Sequence, residues 1–415
     1  MIRHDPVLPP EFIYPIDDWR WVERRYAPEF VATSETTFAT ANGYFGMRGG
    51  FQEGRPNFLH GTFINGFYET WPIPYGERAF GFAKTGQTIV NAPDAKVMKL
   101  YVDDEPLLVA TADLASYERV LDFRAGTLTR DLVWRTPGGK RVRVRSQRLV
   151  SLAHRHLAML TFEVTVLDGD APVVISSQLL NRQDGEDEYH VADHALGLDP
   201  RKMRNFGHRV LVPKLQTDHD DQLVLGYRCA SSGMTIACGY RHLVETDCGH
   251  ALTNSITEDL AKTVITARVK AGETLRVVKL VSYHSSRGVP VEELSDRVTR
   301  TLDRAEEDGP AGLGAGQRAW LDDFWERSDV VIDGDESAQQ AIRWNLFQLA
   351  QATAQTHEHG IAAKGVTGGG YEGHYFWDTE TYVVPFLSYT SPATARKLLR
   401  WRWRAARASA CPRRA

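Results

Sequence analysis

Between residues 12 and 283 the apolar side chains recur at short, strand-like spacing and are separated by turn signals. The clearest example joins residues 128–134 to residues 142–149 through a Thr-Pro-Gly-Gly-Lys turn, after which Val142 and Val144 alternate with arginines. Such alternation is typical of strands with one buried face, and the short turn is typical of a hairpin. Similar segments occupy residues 157–166, 173–179, 223–228, 234–240, 263–269 and 275–283. Many strands with short connections predict a large antiparallel β-sandwich.

Helical spacing replaces this pattern after Tyr283. Residues 291–308 and 319–327 favour helices, and the Pro, Gly and Ala of residues 310–316 predict a break between them. Residues 337–357 have the clearest helical period, and the predicted apolar face consists of Ala338, Ala341, Ile342, Leu346, Leu349 and Thr353.

Polar residues mark where two of these helices begin. Ser337 and Gln340 have the spacing of a capping box, in which each side chain accepts from an unpaired backbone N–H group. Ser391 followed by Pro392 predicts the start of a further helix, because proline is tolerated at the first helical position. Trp344 and Phe347 lie at helical spacing and are expected to pack in the core.

Composition narrows the class of protein. A net charge of −4 and 42% hydrophobic residues predict a soluble globular chain without a general attraction to nucleic acid or to membranes. Neither a run of about 18 apolar residues nor a signal-peptide core is present. The four cysteines lack paired CxxC spacing, so neither disulfides nor a zinc site is expected. We therefore expect a cytoplasmic protein of two or three domains without a metal.

Residues 364–380, KGVTGGGYEGHYFWDTE, combine five glycines, several aromatic rings and two closely spaced acids. The glycines allow tight bends and close approach of the backbone to a ligand. Planar rings cover the weakly polar faces of a sugar, while carboxylates accept its hydroxyl groups. The stretch therefore predicts a sugar site. A glycine-rich connection that leads into a buried aromatic helix is the alternative.

This stretch and the following TYVVPFLSYTSPATARKLLRWR resemble the catalytic signature of glycoside hydrolase family 65. That family comprises inverting disaccharide phosphorylases and related hydrolases that act on maltose, kojibiose, nigerose and trehalose. Far upstream, SETTFATANGYFGMRGGFQEG at 34–54 and GTFINGFYE at 61–69 resemble the opening of the family's amino-terminal sandwich.

The resemblance covers residues 12–404 and implies a domain order. Residues 1–288 would form the sandwich, residues 289–334 a helical linker, and residues 335–404 the start of an incomplete (α/α)6 barrel. Residues 405–415 fall outside the resemblance, which favours a shifted reading frame. An incomplete barrel would expose the apolar faces of the helices that begin at Ser337 and Ser391.

The resemblance also implies a donor subsite, in which Trp377 contacts the glucosyl ring and Asp378 accepts its hydroxyl groups. The family's general acid lies in a Pro-Asp-Glu-Tyr-like motif, and neither that motif nor the phosphate-binding loop occurs in this chain, so no catalytic residue is assigned. The implied reaction converts an α-glucosyl disaccharide and inorganic phosphate into glucose and β-glucose 1-phosphate, without a cofactor. The implied partner is the disaccharide, and the resemblance allows a homodimer of the full-length parent.

Two alternatives to phosphorolysis remain open. The first is hydrolysis of the same substrates, as in trehalase-like or maltase-like members of the family. The second is a catalytically inactive fragment that binds carbohydrate.

Four weaker hypotheses concern other residues. His357 and His359 could suggest a metal, but residues two apart on a helix diverge. Arg48, among nearby glycines, is expected in a turn, with a contact at the domain interface as the alternative. Residues 181–204 are predicted to form a long loop that is either a solvated insertion or part of the acceptor side. Glu380 is expected to be either an ion-pair partner or a site residue.

Overall fold

A computed structural model describes residues 10–77, 79–181, 209–356 and 359–410. The strands are β1 (Arg20–Glu23), β2 (Thr40–Ala41), β3 (Phe45–Met47), β4 (Thr62–Pro72), β5 (Thr85–Asn91), β6 (Met98–Val102), β7 (Glu105–Pro106), β8 (Asp113–Asp122), β9 (Thr127–Arg135), β10 (Arg141–Val150), β11 (Leu157–Val166), β12 (Ala171–Leu180), β13 (Leu211–His219), β14 (Gln222–Cys229), β15 (Thr235–Glu245), β16 (His250–Ile256), β17 (Leu260–Val269) and β18 (Thr274–Ser286). The helices are α1 (Val31–Thr37), α2 (Val291–Ser328), α3 (Glu336–Thr353), α4 (Val384–Thr390) and α5 (Pro392–Ala410). Residues 182–204 of the predicted loop lie outside the described part of the chain.

Three antiparallel sheets form the predicted sandwich. The largest has nine strands in the order β1-β8-β9-β10-β11-β18-β15-β14-β13. One face of this sheet packs against a five-stranded sheet, β16-β17-β12-β6-β7, and against a four-stranded sheet, β2-β3-β4-β5. We call the four-stranded sheet the small sheet.

The predicted hairpin is the β9–β10 pair. Val142 and Val144 are buried there, while Arg141, Arg143 and Arg145 are exposed. Gly139 closes the turn with φ of +85°, a conformation that glycine adopts at little cost. The alternating pattern therefore identified the buried face correctly.

Helix α2 covers the other face of the nine-stranded sheet. Its Leu294, Val298 and Leu302 pack against Val278 and Leu280 of β18. Strand β18 is therefore buried on both faces, which explains why its apolar residues are not confined to alternate positions.

The predicted break between two helices is confirmed as a kink, but its extent was overestimated. Residues 310–316 are helical, and only Gly309 leaves the helical conformation, with φ of +66° and ψ of 165°. Pro310 follows the kink at a first helical position, where its missing N–H group costs nothing.

The predicted capping and apolar face of α3 also need correction. Asp335 caps the helix by accepting from the N–H of Ala338 at 2.9 Å, whereas the Gln340 side chain donates to the carbonyl of Arg20. Ala341 is exposed, and Arg343 is buried with a two-point ion pair to Asp329. The buried face is rotated because polar side chains find partners on neighbouring segments.

The predicted exposure of apolar helix faces is wrong for α3 and only partly confirmed for α5. In α3, Phe347 is buried against α2 and the sandwich, as expected for a packing residue, and Leu346 is buried beside it. In α5, Ala395 and Leu398 are buried against α4, whereas Leu399 and Trp403 are 48% and 59% exposed. Helix α5 begins at Pro392, as predicted. Among the described helices, no segment combines the length and apolar character that a membrane crossing requires.

Three buried arginines hold the loop that follows β3. Arg119 and Arg148 donate to the backbone carbonyls of residues 48–50 at 2.7–3.0 Å. Arg130 forms a buried two-point ion pair with Glu53. The stretch at residues 34–54 therefore supplies the carbonyl and carboxylate groups that accept hydrogen bonds from the buried arginines of β8, β9 and β10.

Acidification should destabilise the fold through two stacked histidines between β18 and α2. The rings of His156 and His284 lie 3.8 Å apart, and His284 bonds to Thr301 of α2. Burial lowers the pKa of His156 from 6.5 to about 4, and burial together with His156 lowers the pKa of His284 to about 2. Below pH 6.5 the two histidines become protonated in the unfolded chain but stay neutral in the folded chain. The free energy of unfolding therefore falls as the pH drops from about 6.5 towards 4.

The midpoint of thermal unfolding, measured between pH 7.5 and pH 4, tests this expectation. Replacing both histidines by glutamine should flatten the dependence of the midpoint on pH over that range. An equally steep dependence in the double variant would contradict the assignment to this pair.

Candidate functional site

The glycine-rich segment, residues 364–373, lies against the small sheet. Nη1 of buried Arg48 donates to the carbonyl of Thr367 at 3.1 Å. A Cβ atom on Gly46 would lie 2.2 Å from the carbonyl oxygen of Val366, so only glycine permits this approach. The alternative hypothesis for Arg48, a contact at the interface between the sandwich and the segment that follows it, is confirmed.

A left-handed turn ends this segment. Tyr371, Glu372 and Gly373 have φ values of 51°, 58° and 74°. Only the last is a glycine, so the first two adopt a conformation that side chains normally disfavour. Strained backbone of this kind often accompanies functional sites.

Trp377 and Asp378 lie where the chain enters the next helix. The Trp377 carbonyl accepts from the N–H groups of Glu380 and Thr381 at 3.0 and 3.1 Å. Residues Thr379–Val383 form a π-helical turn that continues into α4. The Asp378 carboxylate therefore lies at a helix amino terminus, where the backbone dipoles favour a negative charge.

Both of these side chains are available to a ligand. The Trp377 side chain is 80% exposed, and Asp378 is exposed as well. Among the described residues, the Asp378 carboxylate has no hydrogen-bond or ion-pair partner. An exposed indole beside an unpaired carboxylate provides one surface for a ring face and acceptors for hydroxyl groups.

Two further exposed rings belong to residues that shortly precede Trp377 in the sequence. Tyr371 and Phe376 are 62% and 40% exposed, and their ring centroids lie 5.5 Å apart in an edge-to-face arrangement. We call these two rings and Trp377 the aromatic surface. The alternative prediction, a buried aromatic helix, does not describe these three side chains.

Glu380 has a structural role. Arg402 of α5 donates to both Glu380 carboxylate oxygens at 2.7 and 2.8 Å, and also to the Phe376 carbonyl at 3.0 Å. This two-point pair fixes the start of the helix against α5. The hypothesis that Glu380 is an ion-pair partner is confirmed, and its environment differs from that of Asp378.

The metal hypothesis gains no support from the described residues. They contain no cluster of three or more His, Cys, Asp or Glu side chains suited to a metal ion. The ring of His359 packs against Gly66 in β4, and His357 lies outside the described residues.

Sequence reasoning missed the side chains that support the site from the sandwich. Tyr375 donates to Asn65 Oδ1 of β4 at 2.7 Å, and Tyr68 donates to the Gly373 carbonyl at 3.2 Å. Asn65 and Tyr68 belong to the GTFINGFYE stretch. That stretch was informative only as a family resemblance, because its partners lie about 300 positions away in the chain.

Family models match almost the whole chain. The glycosyl hydrolase family 65 amino-terminal domain matches residues 21–324, and the central catalytic domain of the same family matches residues 343–412. The second match continues beyond Arg404, where the resemblance recognised in the sequence ends.

Individual relatives agree with this result. An uncharacterized glycosyl hydrolase of Mycobacterium tuberculosis is 38% identical over 392 residues, which are 94% of this chain and 49% of the relative. The α,α-trehalose phosphorylase of Thermoanaerobacter brockii is 35% identical over 399 residues, which are 94% of this chain and 50% of the relative. The chain thus spans about half the length of the curated relatives it matches.

A solved structure from the human microbiome, assigned as a kojibiose phosphorylase, shares the fold. Its TM-score is 0.83 at 23% identity, and the alignment covers 94% of this chain and 49% of that structure. The sandwich, the helices that follow it and the two matching domain models lead to one assignment. The chain belongs to glycosyl hydrolase family 65.

Proposed function

We propose that this chain binds the glucosyl unit of an α-glucosyl disaccharide and provides the donor subsite of an inverting phosphorylase. The observation that carries the proposal is the exposed Trp377 indole beside the exposed, unpaired Asp378 carboxylate. In a folded protein a group of neighbouring exposed aromatic side chains is often a binding site.

Each side chain has a defined task in this proposal. Trp377 stacks on the face of the glucosyl ring, and Asp378 accepts hydrogen bonds from its hydroxyl groups. Phosphate attacks the anomeric carbon from the face opposite the leaving oxygen, so the product is β-glucose 1-phosphate. Because phosphate is already anionic, it needs cationic or N–H donors rather than a second carboxylate.

No residue of this sequence is assigned as the proton donor. Inverting cleavage needs an acid that protonates the leaving oxygen, and the family's Pro-Asp-Glu-Tyr-like motif does not occur in the sequence. Glu380 is a poor substitute because Arg402 holds it in an ion pair, and Asp378 is assigned to the hydroxyl groups of the sugar. We therefore expect this chain to bind glucosides without turning them over.

The relatives that are named for a specific reaction support phosphorolysis, whereas the more similar relative from Mycobacterium tuberculosis is named only as an uncharacterized glycosyl hydrolase. Both a trehalose phosphorylase and a kojibiose phosphorylase are among the similar proteins. The same comparison leaves the preferred disaccharide open, because these two enzymes are named for different substrates.

Incubation of the purified chain with maltose, kojibiose, nigerose or trehalose, with and without phosphate, tests the proposal. We expect saturable binding of at least one disaccharide and neither glucose nor glucose 1-phosphate above the rate without protein. Phosphate-dependent glucose 1-phosphate would keep the reaction class but show that a residue of this chain donates the proton. Phosphate-independent glucose would identify a hydrolase, and absence of binding would overturn the glucosyl site.

A further inference from the structure

One buried amide joins three distant segments of the chain. Asn65 of β4 is 2% exposed, and its Nδ2 group donates to the carbonyls of Gly43 and Gly360, both at 2.9 Å. Its Oδ1 atom accepts from the Tyr375 hydroxyl at 2.7 Å. The side-chain amide therefore makes three hydrogen bonds. One of its partners, Tyr375, lies two residues before Trp377 in the sequence.

The strand that carries Asn65 is shaped for this contact. Its pairing with β5 is irregular between Phe63 and Tyr68, and Gly66 has φ of +80°. The His359 ring occupies the space beside Gly66, 2.7 Å from where a Cβ atom would lie. Irregularities of this kind redirect side chains from an otherwise regular strand.

Neighbouring bonds hold the strained turn that precedes Trp377. Tyr68 donates to the Gly373 carbonyl at 3.2 Å, and His374 Nε2 lies 3.0 Å from the Gln87 carbonyl of β5. Two non-glycine residues of this turn are left-handed. Such a turn persists only where surrounding contacts specify it.

Tyr375 is also held on its other side. Its ring lies edge-to-face with that of Trp401 on α5, with centroids 4.9 Å apart. Removal of the hydroxyl alone would leave this ring contact available. The hydrogen bond to Asn65 can therefore be tested separately from packing.

We propose that Asn65, Tyr68 and Tyr375 form a polar clamp by which the sandwich positions Trp377 and Asp378 for the glucosyl ligand. The inference rests on the proposed function, because the clamp serves that same site. These three are positioning residues, since each acts through the backbone or through another clamp residue. The sandwich is then a component of the donor subsite as well as a support for the helices.

The clamp predicts local consequences when single hydroxyl groups are removed from the full chain. Tyr375→Phe and Tyr68→Phe should each speed amide hydrogen exchange in peptides spanning residues 371–381 by about 10-fold, because opening this segment becomes easier. Each should weaken disaccharide binding by a similar factor. Tyr389→Phe is the matched control, because this tyrosine is 91% exposed, and it should change neither quantity.

A purely structural role would give a different result. It would lower the midpoint of thermal unfolding and speed exchange throughout the sandwich, without a local effect at residues 371–381. Under the clamp, exchange in β11 and β18 stays at the wild-type rate. In a chain that already carries Asn65→Ala, Tyr375→Phe should add little to the loss of binding, because its partner is already gone.

The outcomes separate the clamp from the function on which it rests. Unchanged local exchange in Tyr375→Phe and Tyr68→Phe overturns the clamp, whatever the sugar titration shows. Faster local exchange with unchanged disaccharide binding overturns the positioning role. A wild-type chain that binds no disaccharide overturns the proposed function and the ligand-positioning role, while faster local exchange would still support the clamp's hold on the segment.

Discussion

Replacing Glu53 by alanine should lower the free energy of unfolding by about 3 to 5 kcal/mol, the cost typical of breaking a buried ion pair. Nη1 of Arg130 donates to Glu53 at 2.8 Å, and the two side chains are only 2% and 1% exposed. Without the carboxylate, the Arg130 cation would remain buried without its counter-charge. Urea unfolding followed by circular dichroism measures the loss.

Two further variants identify the cause. Asp131→Ala removes an exposed partner of Arg143 and should change the unfolding midpoint little, because solvent screens such pairs. Glu53→Leu combined with Arg130→Met should cost less than Glu53→Ala alone, since no unpaired charge remains buried. Equal losses in Glu53→Ala and Asp131→Ala would contradict the importance assigned to this pair.

The sandwich could be predicted because most of its strands have one buried face. In β10, Val142 and Val144 point inward and the neighbouring arginines point outward, so the sequence period matches the sheet directly. Strands buried on both faces, such as β18, still appeared as apolar segments of the right length.

The buried arginines could not be predicted from this pattern. Arg119, Arg130 and Arg148 lie on strands and resemble exposed charges in the sequence. Their burial depends on acceptors at residues 48–53, which lie 70 to 100 positions away in the chain. Burial also lowers the pKa of Arg148, to about 10.

The buried face of helix α3 was predicted incorrectly for a related reason. The prediction assumed that apolar residues define the buried face, but Gln340 and Arg343 are buried because each has a polar partner. The capping prediction placed Ser337 at the helix start, whereas Asp335, two residues earlier, accepts the N–H group.

Only part of the candidate site could be predicted from the sequence. Trp377 and Asp378 stand out locally, because a ring and an acid follow a run of glycines. Their exposure agrees with the predicted role, which stays a prediction until a ligand is bound. Asn65, by contrast, is an ordinary strand residue in the sequence, and its contact with Tyr375 spans 310 positions.

Trp377→Ala should weaken disaccharide binding by roughly 30-fold, the loss expected when a central aromatic contact worth about 2 kcal/mol is removed. The indole is 80% exposed and contributes little to the core, so the unfolding midpoint should stay close to that of the wild type. Trp403→Ala is the matched control, because Trp403 on α5 is also exposed. It should bind the disaccharide as tightly as the wild type.

The most direct test of the glucosyl site is a calorimetric titration of the wild-type chain, Trp377→Ala and Trp403→Ala with whichever of the four disaccharides binds tightest. A glucosyl site at Trp377 predicts a measurable Kd for the wild type and for Trp403→Ala, and a Kd roughly 30-fold higher for Trp377→Ala. Equal Kd values in all three proteins would place the glucosyl unit elsewhere and contradict the proposed site.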